Sequence, residues 1–437
     1  MDLRASGDSE TRFAAYIAGL VEVIGHADRI GPLRDYCVGL VMPGERKSVE
    51  PMAAVTAPGR VSAQHQSLLH FVSTAPWSDE AVLGQVIEMV LPQIERHGPI
   101  EAWILDDTGF PKKGRHSVGV ARQYCGQLGK QDNCQAAVSL SIANHHASLP
   151  VAWRLYLPES WAGDEARRAT AKIPRNITFK TKPQIALEQI EAAYRQGLPR
   201  GVVLMDAGYG NDSQFRSRLT EWQLSYVVGI QSAVTVWMPG EQPLPAPEGK
   251  GMGRPRKLLR RDPEHQPVTV KELALTLPSA AWKTVAWRQG VKKKLTSRFA
   301  AVRVRCAHRD YWRAEPHAEE WLLIEWPKDE AEPTKYWFST LSAKTSLTEL
   351  VHLAKHRWII ERDYQELKQE LGLGHFEGRG WRGFHHHATL CIAAYGFLVA
   401  ERTRFSPSAR AGQLELRAPK LPARFQPRGS AHSGRAA

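Results

Sequence analysis

Between residues 101 and 230 the apolar residues come in an order that few folds accommodate. Ala102-Trp-Ile-Leu-Asp-Asp is a short apolar run closed by two acids and followed by Thr108-Gly109. It reads as a strand that stops at a turn. Val138, Leu140 and Ile142 then alternate with small or polar residues, and Leu149, Val151, Trp153, Leu155 and Leu157 alternate more regularly still. With the polar Asn144-His145-His146 between them, these two stretches predict a hairpin. Pro183 opens a helix through Tyr194, with Leu187, Ile190 and Tyr194 on one face. Gly201-Val-Val-Leu-Met-Asp-Ala-Gly is a second buried strand running into an acid and a glycine. A helix over 212–222 and a strand over 225–230 follow. Antiparallel strands come first and parallel ones joined by helices come after, so the expected class is α/β with a mixed sheet.

The flanks differ in texture. Residues 12–100 show helical spacing, as in Phe13-Ala-Ala-Tyr-Ile-Ala-Gly-Leu-Val and Ala81-Val-Leu-Gly-Gln-Val-Ile-Glu-Met-Val-Leu. Ser78 is placed to cap the second of these, with Asp79 and Glu80 in its first turn. Thr284–Trp287, Phe299–Val304 and Trp321–Trp326 read as strands of a β-rich insertion, and the pattern is helical again from Ser346. The organisation expected is a helical domain at 1–98, a first part of the core at 99–234, an insertion at 235–340, a helical completion of the core at 341–404 and a basic disordered tail at 405–437.

Charge narrows the class of partner. The chain of 437 residues carries a formal net charge of +13. Residues 240–313 hold 17 Lys and Arg against six Asp and Glu, most of that excess. Such a balance points first to nucleic acid. Five cysteines without a CxxC spacing exclude a disulfide scaffold and a zinc ribbon and fit a reducing, cytoplasmic compartment. The run from Ala388 to Ala400 is shorter than the roughly 18–20 residues a bilayer span needs, so no membrane partner is expected. The acidic, polar N-terminus does not read as a signal peptide. Gly109-x4-Gly114 is followed by Arg rather than Lys-Ser/Thr, so it is not a P-loop and no nucleotide is expected.

Three acids could carry chemistry. Asp107, with Asp106 beside it, and Asp206 each end an apolar strand, where a divalent metal is the usual compensation for a carboxylate. Arg357, Glu361 and Lys368, spaced i, i+4, i+11 on a helix around 348–371, fall within roughly 40° of one another about its axis. Three carboxylates could hold two Mg²⁺ about 3.5–4 Å apart, as phosphodiester chemistry uses them. Mn²⁺ would suit the same oxygen ligands. Arg357 and Lys368 could meet the phosphates on either side. Taken singly, an Asp before a turn and an Arg-x3-Glu pair are also ordinary turn and surface features.

Four stretches together resemble the DDE-type insertion-sequence transposases. They are Asp106-Asp-Thr-Gly-Phe-Pro-Lys-Lys-Gly, Val118-Gly-Val-Ala-Arg-Gln-Tyr-Cys-Gly, Met205-Asp-Ala-Gly-Tyr-Gly and His356-Arg-Trp-Ile-Ile-Glu-Arg-Asp-Tyr-Gln-Glu-Leu-Lys. The last matches the family's Tyr-x2-Arg-x3-Glu-x6-Lys signature at Arg357, Glu361 and Lys368, whereas its Tyr position is Ala354. The resemblance implies a ribonuclease H-like mixed sheet interrupted by a β-rich insertion before the catalytic Glu. It implies Asp107, Asp206 and Glu361 as catalytic metal ligands. The family's first Asp directly precedes Thr, which selects Asp107, with Asp106 as the alternative. Since neighbours on a strand point to opposite faces, only one of the two can face the site. The implied partners are double-stranded DNA, as transposon terminal inverted repeats and target, and a second copy in a homodimer on DNA. The implied chemistry is hydrolysis of a strand at each end, then attack by the freed 3′-OH. A catalytically silent DNA-binding derivative and another ribonuclease H-like nuclease are the competing readings.

Further basic and aromatic residues are candidates for DNA contact. Lys112 and Lys113 follow the first Asp, Lys292, Lys293 and Lys294 form a basic triplet, and Arg254 and Arg256 sit in Gly253-Arg-Pro-Arg-Lys, similar to the core of an AT-hook. In related enzymes an aromatic side chain holds a flipped base. Trp282, Trp287 and Trp312 are candidates for that role, and core positions in the insertion are the alternative. His385-His-His387 is not expected to hold zinc, because adjacent helical residues point about 100° apart. The N-terminal helices are expected to include the reader of the transposon end, without a placed recognition helix.

Overall fold

The computed structural model describes residues 8–247, 257–290 and 294–404. Arg254, Arg256, Lys292, Lys293, the AT-hook-like segment up to Arg256 and the tail at 405–437 lie outside these residues.

Five helices come first: α1 (Ser9–Ile24), α2 (Ile30–Val41), α3 (Val49–Thr56), α4 (Val61–Ser73) and α5 (Asp79–Glu95). The Oγ of Ser78 accepts from the Ala81 amide, so α5 starts at the cap that the sequence marks. Strands β1 (Ala102–Pro111), β2 (Ala121–Cys125), β3 (Lys130–Ala143) and β4 (Ser148–Leu155) follow. After the short helices α6 (Glu159–Ala162) and α7 (Glu165–Thr170), helix α8 (Lys182–Arg195) leads to β5 (Val202–Met205). One turn of helix, α9 (Ala207–Gly210), and α10 (Ser213–Glu221) then lead to β6 (Tyr226–Ile230). The next stretch contains β7 (Thr235–Trp237), β8 (Val268–Thr269), α11 (Val270–Thr276), β9 (Lys283–Gln289), β10 (Lys294–Cys306), β11 (Glu319–Trp326) and β12 (Lys335–Ser339). Helices α12 (Leu347–His356), α13 (Trp358–Gln369) and α14 (Trp381–Arg402) close the described chain.

The twelve strands among the described residues belong to one mixed sheet. The predicted hairpin is β3–β4, antiparallel, with Ile142 opposite Leu149. On the other side β3 runs antiparallel to β1, while β5 and β6 run parallel to β1. The strands of 235–340 do not form a sheet of their own. Through the antiparallel pair β6–β12 they extend the same sheet, with Val228 opposite Phe338.

Two expectations need correcting. β1 does not stop at Thr108-Gly109 but stays paired with β3 through Pro111 opposite Cys134. Gly109 is there for clearance, because a Cβ would sit 2.8 Å from the Cys125 sulfur. The helix expected over 348–371 is two helices. Arg357 ends α12 and begins α13, keeping helical angles at φ −54°, ψ −21°.

The sheet has two differently covered faces. One packs Ala102, Ile104, Leu204 and Val227 against Leu350, Val351, Ile359, Ile360 and Tyr364 of α12 and α13. The other packs Trp103, Leu105, Val203 and Met205 against Ile185, Ala186 and Ile190 of α8, and its core continues into the N-terminal helices and α14. Helix α14 is buried nearly all round, which explains its apolar run. Among the described residues no helix is long and apolar enough to cross a membrane. The three histidines of α14 are buried and bonded to backbone or tyrosine. His385 Nε2 accepts from the Leu155 amide, His386 contacts the Val72 and Trp77 carbonyls, and His387 bridges Tyr36 and the Gly372 carbonyl.

Candidate active site

The two acids of β1 sit mid-strand and alternate across the sheet. Asp106 lies opposite Ser139 on β3, and the Ser139 hydroxyl is 2.6 Å from the hydroxyl of Tyr364 on α13. Asp106 therefore stands on the α13 face, in line with Ile104. Asp107 lies opposite Val138 on the α8 face. Its Oδ2 is 2.5 Å from Nζ of Lys182, at the start of α8, and its Oδ1 accepts from the Tyr209 hydroxyl at 3.3 Å. Thr181 holds that helix start in a reciprocal capping box with Gln184.

Asp206 follows β5 and caps α9, with Oδ1 accepting from the Gly208 amide at 2.9 Å. The turn is held close against β6 by two glycines. A Cβ on Gly229 would lie 2.9 Å from the Ala207 amide nitrogen, and one on Gly210 would overlap the Gly229 carbonyl oxygen. Neither obstacle is a flexible side chain. Gly210→Ala is accordingly expected to lower stability by about 1–3 kcal/mol, the cost of overpacking. Urea unfolding followed by circular dichroism measures it.

Glu361 sits exposed in the first turn of α13. Asp106, Asp107, Asp206 and Glu361 all line one open cleft of about 1120 Å³, with Lys182, Tyr209 and Lys368. Asp206, Glu361 and Arg357 also line a second hollow of about 390 Å³ behind it, together with Ala354, Trp287 and Trp358. Arg357 Nη1 lies 2.8 Å from Asp106 Oδ2. The contact is an ion pair by distance but is not aligned as a hydrogen bond, so this buried N–H has no aligned acceptor among the described residues.

The electrostatics tie the group together. Burial pushes the Asp106 carboxyl up to about 7. The Arg357 guanidinium opposes that rise, and the neighbouring Asp206 and Asp107 add to it. Burial lowers Arg357, but Asp106, Asp206 and Glu361 outweigh it and hold the guanidinium above its ordinary range. The carboxylate group is thus short of positive charge, and its donors are all oxygen. That suits Mg²⁺, which keeps several waters and takes only one or two carboxylates each. Among the described residues no three acidic, histidine or cysteine side chains are already drawn into a closed metal cage.

The basic candidates divide. Lys368 donates to the Gly109 carbonyl at 2.8 Å and lies 5.0 Å from the centre of the Phe110 ring, with burial pulling its ammonium down to about 8. Lys112 donates to the Phe376 carbonyl at 2.9 Å, and burial lowers its ammonium too. Both tie β1 to the C-terminal elements. Lys113 and Lys294 are exposed. Of the tryptophans, Trp282 packs edge-on against Trp326 and Trp287 against Phe299, whereas Trp312 is 61% exposed.

Sequence reasoning left two groups without a role. Tyr209 lies inside the Met205-Asp-Ala-Gly-Tyr stretch, and only the fold shows its hydroxyl reaching Asp107. Lys182 was marked only by Pro183 after it, the sign of a helix start.

Residues 19–294 match the family described as DDE superfamily endonuclease. The chain belongs to this family. The matched region contains both acids of β1 and Asp206 and ends before Glu361, so the third acid rests on its place in the cleft. A probable transposase for insertion sequence element IS701 from Microchaete diplosiphon is 32% identical over 198 residues. That match covers 45% of this chain and 47% of the relative, so the chain spans about half the length of that curated relative.

Proposed function

We propose that the chain is a transposase that cleaves DNA at the ends of an insertion element and joins the freed 3′ ends to target DNA. The observation that carries this reading is the convergence of Asp106, Asp206 and Glu361 on one cleft, with Arg357 Nη1 2.8 Å from Asp106. Strands in the order β4-β3-β1-β5-β6, with β3 antiparallel and β5 and β6 parallel to β1, support a ribonuclease H-like core.

Asp106, Asp206 and Glu361 are the proposed metal ligands, and Asp106 replaces Asp107 because it shares the α13 face with Glu361. Magnesium bound there would supply activation of the attacking oxygen and charge relief for the leaving oxygen. Arg357, which lines the neighbouring hollow with Asp206 and Glu361, is suited to a phosphate oxygen of the bound strand. Asp107 lines the same cleft but is held toward α8 by Lys182 and Tyr209, bracing β1 there. Lys112 acts as a brace in the same sense, and Lys368, which lines the cleft, braces β1 from within it. Lys113, Lys294 and the basic segment around Arg254, Arg256, Lys292 and Lys293 are left as backbone contacts. End recognition by the N-terminal helices and assembly as a homodimer on DNA belong to the same proposal.

The test is incubation of the purified chain with DNA carrying the inverted repeats that flank its gene. Cleavage at the repeat boundary in Mg²⁺ and none in EDTA is the expected result. Specific binding without cleavage in either Mg²⁺ or Mn²⁺ would instead favour the silent, DNA-binding reading.

A further inference from the structure

The hollow of about 390 Å³ behind the cleft contains a cation that the carboxylate site does not use. Asp206 and Glu361 line this hollow together with Arg288, Lys335, Lys355 and Arg357. Lys355 is spent on Glu325, 2.5 Å away, beside the rings of Trp287 and Trp337. Arg357 is paired with Asp106. Lys335 is exposed and keeps its hydration. Arg288, half-buried on β9, is the one whose position asks for an explanation.

A strand irregularity places it there. Leu295 of β10 pairs with Arg288, but Thr296 pairs with Ala286, so Trp287 is an extra residue in β9. A bulge of this kind bends the strand and re-aims the side chains beside it. The Arg288 guanidinium lies over the Trp358 ring, 4.0 Å from its centre. Trp358 is the first residue of α13 and directly follows Arg357. The bulge and the ring together fix a second arginine at the helix junction that carries the first.

The arginine is held but not satisfied. Its Nε is buried and has no acceptor among the described residues. A buried donor without an acceptor is costly, so its persistence points to an acceptor supplied from outside the chain. Stacking covers one face of the guanidinium and leaves its edge for an oxyanion, whose paired oxygens match the planar fork. Ala354, in the last turn of α12, adds only a methyl group to the wall, so the hollow stays open beside it.

We propose that Arg288 binds a phosphate adjoining the scissile one on the cleaved strand, which passes from the carboxylate cleft into this hollow. Arg288 and Arg357 then hold neighbouring phosphates, one from β9 and one from the helix junction. The proposal rests on the reading of the chain as an enzyme that cuts DNA.

The experiment replaces single phosphates around the cleavage site of the end DNA by neutral methylphosphonates. Affinity for the full chain is read by fluorescence anisotropy in EDTA, so that no cleavage intervenes. Wild type should lose roughly tenfold when a phosphate adjoining the scissile one is neutralised, the scale of one charged hydrogen bond. Arg288→Gln should lose about as much on unmodified DNA, and no more than about twofold further when that same phosphate is neutralised. Methylphosphonates elsewhere should weaken both proteins alike. Arg288→Gln should also reduce the slope of log affinity against log salt by about one, and Arg288→Lys, which keeps the charge, should preserve it. A wild type indifferent to every methylphosphonate beside the scissile phosphate overturns the site without recourse to a variant. If Arg288→Gln binds as wild type does, or weakens every DNA in proportion, the site is overturned and the DNA reading is spared. No preference of wild type for end DNA over unrelated DNA overturns both.

Discussion

Glu361→Ala should reduce Mg²⁺-dependent end cleavage by at least about a thousand-fold, because a lost metal ligand forfeits several kcal/mol of transition-state stabilisation. DNA affinity should stay within about twofold. Glu361 is the acid of α13 that fits this role. Asp363 is buried, with its oxygens taken by Ser148 at 2.5 Å and Tyr395 at 2.7 Å. Glu366 is taken by Arg362 and Arg402. These partners orient α13 against β4 and α14, and that leaves Glu361 on the cleft side. As an exposed residue in the first helical turn, Glu361 contributes about 1 kcal/mol or less to folding through the helix dipole. A folded variant is therefore expected, and loss of cleavage can be read as chemistry. Single-turnover cleavage beside a binding isotherm separates the two. A variant that cleaves normally removes Glu361 from the site.

The sequence carried the sheet further than it carried the site. Strict alternation in 136–157 suffices for the β3–β4 hairpin, and apolar runs bounded by acids and glycines suffice for β1, β5 and β6, because strand burial is a local pattern. The length of β1 was not local. Thr108-Gly109 is ordinary turn chemistry, yet Gly109 is used to let β1 pass close to Cys125 on β2. That strand itself carries no apolar alternation, since Arg122, Gln123 and Tyr124 face outward or are half covered. The helix break at Arg357 was also hidden, because no Gly or Pro marks it and Arg357 keeps helical angles.

Roles of individual cations were the least legible. Lys112 and Lys368 look like phosphate contacts in a basic chain, but each ammonium reaches a backbone carbonyl supplied from more than 250 residues away. Such pairings depend on how distant elements pack. The charge excess at 240–313 was plain in the composition. Its use was not, since Arg261 is spent on the buried Asp310 while Arg309 and Arg313 line a surface groove.

The choice between Asp106 and Asp107 shows the same limit and bears most directly on the account. A strand with two consecutive acids must send them to opposite faces, but which face holds the site depends on α13, some 250 residues later. The pairing of Asp106 with Ser139, and of Ser139 with Tyr364, puts Asp106 on the face of Glu361 and Arg357. Asp107 lines the same cleft but already has Lys182 and Tyr209 as partners. Asparagine keeps the size of aspartate and removes the charge a metal needs. Asp107→Asn leaves Lys182 without its counter-ion, and as both side chains are about a quarter exposed, this costs little. The decisive measurement is the single-turnover rate of end cleavage in Mg²⁺ by Asp106→Asn and Asp107→Asn, with DNA affinity measured in parallel. The account predicts that Asp106→Asn loses about a thousand-fold or more and that Asp107→Asn stays within about tenfold of wild type. Retained cleavage in Asp106→Asn with a silent Asp107→Asn, at unchanged DNA affinity, would contradict it.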